Sequence, residues 1–305
     1  MDDRDNGGRS VELASHFQKF LSNIEPTPTQ KSEASTGHTT LRSRLEKDSN
    51  YSKYFVDSFI SGSYGRDTAI RPINDVDVIV ITNHNDSWTP DAVLYVLEKA
   101  LGNYYLSDKL IRQGRSVRVS LSYVIMDVVP AILTNGLDGV LKIPDREVKE
   151  WKVSHPRKHL QLATDMNSAR DNLYKPLVKA LKQWRDNRME DSWKPKSFLL
   201  ECLVYDYALK NNISSVPKAI KEFFWYTKEK YSEHRKTQSC SPFISDPAGT
   251  GNDIARKWSY SDFCRFMDEL DKSWYNAYLA LEASDYNDSA EKWRKLLGDV
   301  FPLSV

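Results

Sequence analysis

The sequence predicts an α+β chain in two parts: a mixed sheet with flanking helices, then a mostly helical C-terminal lobe. Two short strand-like runs, residues 54–60 and 75–82, enclose a glycine-serine turn. A third apolar or alternating stretch, 117–129, supplies another strand. From about residue 156 onward, apolar residues recur at helical rather than strand spacing. The expected boundary lies there, giving a core at 1–155 that includes N-terminal helices and a helical domain at 156–305.

A chain of 305 residues is long enough for two domains with cores of their own. Hydrophobic residues make up 40% and charged ones 28%, as in ordinary globular proteins. No apolar run approaches the roughly 20 residues of a membrane span. The first ten residues are charged and contain glycine, unlike a secretory leader, and are expected to fray. Cys202, Cys240 and Cys264 are odd in number and widely spaced, so neither a disulfide framework nor a zinc pattern is expected. A reducing cytoplasm is the default. The formal net charge is +1, which argues against a large basic groove for long nucleic acid.

In chain order, Val11, Leu13, Ala14, Phe17, Phe20 and Leu21 mark a first helix, stopped by Pro26-Thr27-Pro28-Thr29. A second helix is expected from residue 30 or 36 to 48. The strand at 54–60 and the strand at 75–82 follow. Thr89-Pro90-Asp91 starts another helix, with Ala92, Leu94, Val96, Leu97 and Leu101 expected on its buried side. A turn at 112–115 leads to the strand at 117–129, and 141–143 is a short strand. Lys142, Arg146, Lys149, Lys152, Arg157 and Lys158 make the next stretch basic, either as solvated surface or as a phosphate-facing rim. Helices are then expected to open at Pro176 and to run over 197–207, 218–228 and 262–281. Residues 237–253 read as a long surface loop.

The chemistry concentrates between the first two strands. Side chains alternate along a strand, so Asp75 and Asp77 share a face while Val76, Val78 and Val80 point into a core. Two carboxylates so placed repel unless a cation sits between them, and hard oxygen donors suit Mg2+. Gly62 permits close backbone approach to a ligand, and Ser63 opens a short helix able to receive an anion. An anion cradle beside a metal-binding Asp-x-Asp is what a nucleoside triphosphate with bound Mg2+ requires.

The run from Gly62, G-S-Y-G-R-D-T-A-I-R-P-I-N-D-V-D-V-I-V-I, resembles the signature of the DNA polymerase β-like nucleotidyltransferases. More narrowly, it is similar to the cGAS/DncV-like nucleotidyltransferases, bacterial enzymes that make cyclic oligonucleotide signals. The likeness continues through Asp127, Trp151 with Pro156, Lys182 and Lys196-Ser197-Phe198, and so covers most of the chain. It implies a polymerase β-like palm, with the active site in a cleft between palm and helical lobe. It implies Asp127 as a third carboxylate, joining Asp75 and Asp77 in holding two Mg2+ ions, with Mn2+ as a substitute. It further implies that Lys182 neutralises the triphosphate, Ser197 adds a hydroxyl contact and Phe198 stacks on a base. Read without the resemblance, Asp127 also fits a loop cap, Lys182 a solvated helix lysine, Ser197 a helix N-cap and Phe198 a core aromatic. Thr68 fits a structural role in the turn, and His155 and His159 lack a third ligand and read as surface or base-edge residues.

The implied activity is Mg2+-dependent joining of NTPs into a cyclic di- or trinucleotide with release of pyrophosphate, in anti-phage signalling through a separate effector protein. The implied enzyme is a cytoplasmic monomer, open to a regulatory protein, that requires no long nucleic acid and no membrane. A terminal RNA nucleotidyltransferase would favour a more basic chain or an RNA-binding domain. A transferase acting on a small molecule or protein is a further alternative. The intact Asp75, Asp77 and Asp127 set argues against a catalytically dead nucleotide-binding module.

Overall fold

A computed structural model describes residues 12–305, except 74, 86, 135, 137–138 and 146–149. The expected fraying of 1–10, the helical Val11, and Arg146 and Lys149 of the basic stretch lie outside the described residues. The chain packs as two compact units. One comprises Pro26–Thr164 with Pro247–Asn252; the other comprises Met1–Glu25, Asp165–Asp246 and Asp253–Val305.

The first of these units is built on a seven-stranded mixed sheet. Helix α1 (Ala14–Ile24) belongs to the other unit, and α2 (Pro28–Lys47) opens this one. A reciprocal cap starts α2: Thr27 Oγ1 accepts from the Gln30 amide, and Gln30 Oε1 accepts from the Thr27 amide. Pro28 sits in the first turn, where its missing N–H costs nothing. Ala34, Gly37, Leu41 and Leu45 then recur along its buried stripe. The strands are β1 (Phe55–Ile60), β2 (Val76–Thr82), β3 (Leu110–Arg112), β4 (Val117–Ser120), β5 (Ile125–Leu133), β6 (Leu141–Pro144) and β7 (Trp151–Ser154). The order is β1-β2-β5-β4-β3, with β6 also on β5 and β7 on β6. Only β2 and β5 run parallel; every other pairing is antiparallel.

Strand β2 is covered on both faces. Val76, Val78 and Val80 enter a core with Val117, Met126 and Val128, closed by α2 and by α4 (Pro90–Gly102). On the opposite face Ile79 and Ile81 join Val129, Ala131 and Leu141. On α4 the buried residues are Val93, Leu94, Leu97, Ala100 and Leu101; Ala92 and Val96 are only partly covered.

Sequence and structure part at 117–129. That stretch is not one strand but a hairpin, β4 and β5, with its turn at 121–124. The Leu121 amide donates to the Val124 carbonyl across the turn at 2.9 Å. The pattern conceals such a turn, because Leu121 continues the alternation of Val117 and Val119 and an apolar run from Tyr123 to Met126 follows directly. Strands β3 and β7 were likewise not expected.

The second unit holds α6 (Tyr174–Arg188), α7 (Ser197–Lys210), α8 (Val216–Thr237), α9 (Tyr260–Leu281) and α10 (Tyr286–Leu297); the division from the sheet unit falls inside α5 (Pro156–Ala169). Trp184 lies at its centre, against Phe224 and Phe266, with its indole N–H on Ser273 Oγ at 2.8 Å. These units depart from 1–155 and 156–305 in where the first helix belongs, in a division after Thr164 and in the grouping of Pro247–Asn252 with the sheet. Phe17 and Phe20 of α1 pack on Phe301, and Phe17 also on Trp293, giving α1 its partners among the C-terminal aromatics. Those contacts pair residues nearly the whole chain apart, which local pattern does not reveal.

Phe20 is fully buried. Phe20→Ala should destabilise the helical unit by about 3–5 kcal/mol through the cavity it leaves. A urea titration followed by tryptophan fluorescence should show a lower midpoint; an unchanged midpoint would refute this packing.

Candidate active site

Strand register sets the site. Asp77 on β2 lies opposite Asp127 on β5, and Asp127 lies opposite Arg118 on β4. Asp75 stands just before β2, two residues from Asp77 and hence on the same side. Three carboxylates and one guanidinium thus share one face of the sheet. Arg118 Nε donates to Asp127 Oδ1 at 2.8 Å, and its Nη2 donates to Asp127 Oδ2 at 3.0 Å and to Asp75 Oδ2 at 2.6 Å. Burial raises the Asp75 pKa above the ordinary carboxylate value; the charges of Asp127 and Asp77 push the same way, and Arg118 pulls against them. The hydrogen bond to Asp127 raises the pKa of Arg118, so this cation stays charged.

The turn after β1 closes on the same carboxylates. Helix α3 (Gly62–Gly65) is a single turn. The Ser61 amide donates to the Asp77 carbonyl at 2.8 Å, which seats the turn over β2. Gly62 has φ +60°, and a Cβ there would stand 1.8 Å from Asp77 Oδ2. No side chain fits between the backbone and that carboxylate. The Ser63 carbonyl accepts from the Thr68 amide at 2.9 Å, and Thr68 is fully buried, so Thr68 holds the turn in shape.

A cavity of about 260 Å³ opens beside Asp75, lined by Gln30, Tyr64, Ile73, Tyr123 and Val124 among others. The Tyr64 hydroxyl is buried with no hydrogen-bond partner among the described residues.

Asp75, Asp77 and Asp127 supply hard oxygen donors of the kind a divalent ion such as Mg2+ takes. Among the described residues, no three Asp, Glu, His or Cys side chains close around one point as they stand. A guanidinium lies between Asp75 and Asp127 instead. The donor chemistry suits a divalent ion, and Arg118 engages the oxygens that would hold it.

Five of the residues singled out from sequence, Gly62, Ser63, Asp75, Asp77 and Asp127, lie in the sheet unit; Lys182, Ser197 and Phe198 lie in the helical unit. Lys182 is not a solvated lysine. Its ammonium pairs with Glu201 at 2.6 Å, and both side chains are buried. Ser197 does not cap α7: Lys196 holds that position, and Ser197 Oγ accepts from Arg185 Nη1 at 2.7 Å. Phe198 is half-buried rather than a core aromatic. His155 and His159 are half-buried at the start of α5. All three cysteines are free thiols.

Two residues at these positions went unseen in the sequence. Arg118 occupies an alternating position in Val117-Arg118-Val119, but it becomes a neighbour of Asp127 only through the hairpin. Glu201 stands inside the apolar run of α7, and a lone acid in such a run signals a buried cationic partner.

Gly62→Ala should push the Asp77 carboxylate aside and impose a left-handed backbone on a residue with a side chain, at a cost of about 1–2 kcal/mol. The expected readout is a lower melting midpoint and weaker Mn2+ binding. Gly102→Ala, where an added Cβ meets nothing within 4 Å, is the control. Equal behaviour of the two variants would refute the close approach.

Comparison with known proteins identifies the family of the chain. A family model described as "Second Messenger Oligonucleotide or Dinucleotide Synthetase domain" matches residues 11–167. A "Cyclic AMP-AMP-AMP synthase" of Acinetobacter sp. is 34% identical, with 97% of this chain and 88% of that protein covered. A "Cyclic AMP-AMP-GMP synthase" of Enterobacter hormaechei is 29% identical, with 96% and 93% covered. Among solved structures, an Escherichia coli CdnC in complex with a HORMA protein superposes with a TM-score of 0.80 at 21% identity, covering 96% of this chain and 99% of that one. Members of this family take NTPs and use divalent metal ions. With a family model over half its length and a relative of this identity along nearly all of it, the chain belongs to the Second Messenger Oligonucleotide or Dinucleotide Synthetase family, the nucleotidyltransferases that make cyclic oligonucleotides.

Proposed function

We propose that the chain joins NTPs, chiefly ATP, into a cyclic trinucleotide and releases pyrophosphate, using Asp75, Asp77 and Asp127 as metal-binding carboxylates. The register that sets Asp77 beside Asp127, under the Gly62 turn, carries this reading. The ring size and the preference for ATP rest on relatives that span nearly the whole chain, among them a cyclic AMP-AMP-AMP synthase and a cyclic AMP-AMP-GMP synthase.

Two Mg2+ ions, or Mn2+ in their place, would lower the pKa of the attacking ribose hydroxyl and offset charge on the leaving pyrophosphate. Asp75, Asp77 and Asp127 would hold those ions. Gly62 brings the backbone against Asp77, and Ser63 with the neighbouring amides donates to the phosphates. The cavity beside Asp75 gives room for part of a nucleotide. In the helical unit, Lys182 acts on the triphosphate by sharing its ammonium between phosphate and Glu201. Ser197 offers its hydroxyl from a position fixed by Arg185, and Phe198 stacks on a base.

The product acts through a separate effector protein in anti-phage signalling. A regulatory protein partner is supported by the HORMA complex of the Escherichia coli relative. The enzyme works as a monomer in a reducing cytoplasm, in keeping with three widely spaced cysteines that form no framework.

Wild-type protein with NTPs and Mg2+ should yield a phosphatase-resistant product with the mass of a cyclic trinucleotide. Asp75→Asn with Asp77→Asn should reduce that product roughly a thousandfold or more, with the circular dichroism spectrum unchanged. Wild-type rates from the double variant would refute the site.

Activity should also persist after nuclease treatment and across a range of salt. Binding to long duplexes neutralises many phosphates and weakens steeply with salt; here 43 basic residues meet 42 acidic ones. Strict dependence on added DNA or RNA would overturn this and favour a nucleic-acid sensor or RNA polymerase.

A further inference from the structure

We propose that Arg118 is the internal counter-cation of the metal site: it holds Asp75 and Asp127 in the metal-free enzyme and is displaced when a divalent ion bridges them, so that tight metal binding requires nucleotide. This rests on the assignment of Asp75, Asp77 and Asp127 as metal ligands.

The geometry is specific. Arg118 engages both oxygens of Asp127, at 2.8 and 3.0 Å, and one oxygen of Asp75 at 2.6 Å. These are the lone pairs an ion bridging the two carboxylates needs. A guanidinium does not shed its proton, so it yields those oxygens only by moving away. The β4–β5 register holds Arg118 opposite Asp127, so every copy of the chain presents the same competitor to an incoming ion. The side chain is 28% exposed, which leaves it a way out toward solvent.

Charge gives the coupling. As the site stands, Arg118 faces Asp75 and Asp127, with Asp77 on the same side of the sheet. Divalent ions arriving alone must displace Arg118 and then share the site with it as like charges. Ions arriving with a triphosphate bring oxygen ligands of their own and a polyanion for the released guanidinium to face. Metal and nucleotide therefore favour the same state, in which Arg118 has left the carboxylates. Two ligands that favour one state strengthen each other's binding.

The test is Mn2+ binding measured by calorimetry without nucleotide, on wild type, Arg118→Met, Arg118→Lys and Asp127→Asn. Met keeps length and removes charge; Lys keeps charge and loses the bidentate fork. Arg118→Met should bind Mn2+ about tenfold tighter than wild type, since charge-assisted hydrogen bonds no longer compete. Its metal-free melting midpoint should fall, and Mn2+ should restore it. Arg118→Lys should lie between the two. A nonhydrolysable NTP analogue should tighten Mn2+ binding more in wild type than in Arg118→Met.

Equal or weaker Mn2+ binding by folded Arg118→Met would overturn the inference. So would an equal gain from the analogue in both proteins. If Arg118→Met does not fold without metal, Arg118→Lys decides: tighter binding than wild type supports the inference, and equal or weaker binding overturns it. Asp127→Asn separates this failure from that of the site itself. If Mn2+ binding survives Asp127→Asn unchanged, the metal assignment falls and the role of Arg118 falls with it. If Asp127→Asn abolishes binding while Arg118→Met leaves it unaltered, only the Arg118 inference fails.

Discussion

Carboxylates crowded onto neighbouring strands repel one another, and they stay charged together only with a cation among them. Asp77 and Asp127 are fixed side by side by the parallel pairing of β2 and β5, so backbone adjustment cannot relieve that repulsion without breaking the ladder. Arg118, fixed by β4 on the far side of Asp127, answers it from within the chain. The pairing order of three strands therefore places both the crowded carboxylates and the guanidinium that offsets their charge.

The rest of the sheet unit makes that arrangement rigid. Hydrophobic residues from both faces cover β2, and β5 is buried along most of its length. The turn at Gly62 is tied to β2 through its Ser61 amide and to Thr68 through the Ser63 carbonyl. Rotamers locked by packing and backbone bonds are what a metal-binding constellation requires. In the helical unit the polar groups are held differently. Lys182 pairs with Glu201 where both side chains are buried, and Arg185 donates to Ser197, to Asp186 and to the Pro195 carbonyl.

Sequence disclosed the parts of this design that local chemistry specifies. The glycine-serine turn, the Asp-x-Asp alternation and the apolar positions of β2 all follow from residue type and a period of two. The helical character of the C-terminal part follows from a longer period. What escaped depended on distant pairing. The hairpin at 117–129 was hidden because Leu121 and Val124 continue the apolar pattern through the turn. Arg118 was invisible as a site residue for the same reason. The membership of α1 in the helical unit depends on Phe17 and Phe20 meeting Trp293 and Phe301, contacts that no window of neighbouring residues contains. The burial of Lys182 was concealed because lysine on a helix is ordinarily exposed, and here Glu201 meets it in the interior.

The burial of β2 on both faces also bears on how such an enzyme can diversify. Asp77 rises from a strand whose amides exchange with solvent only when much of the unit opens. The cavity beside Asp75 is walled partly by the turn at 121–124, which belongs to no strand. Loops accept insertions and replacements that central strands do not. Drift in that turn can therefore reshape what the cavity admits while the charges on β2 and β5 keep their spacing. Selection can thus vary the cavity wall on an unchanged sheet.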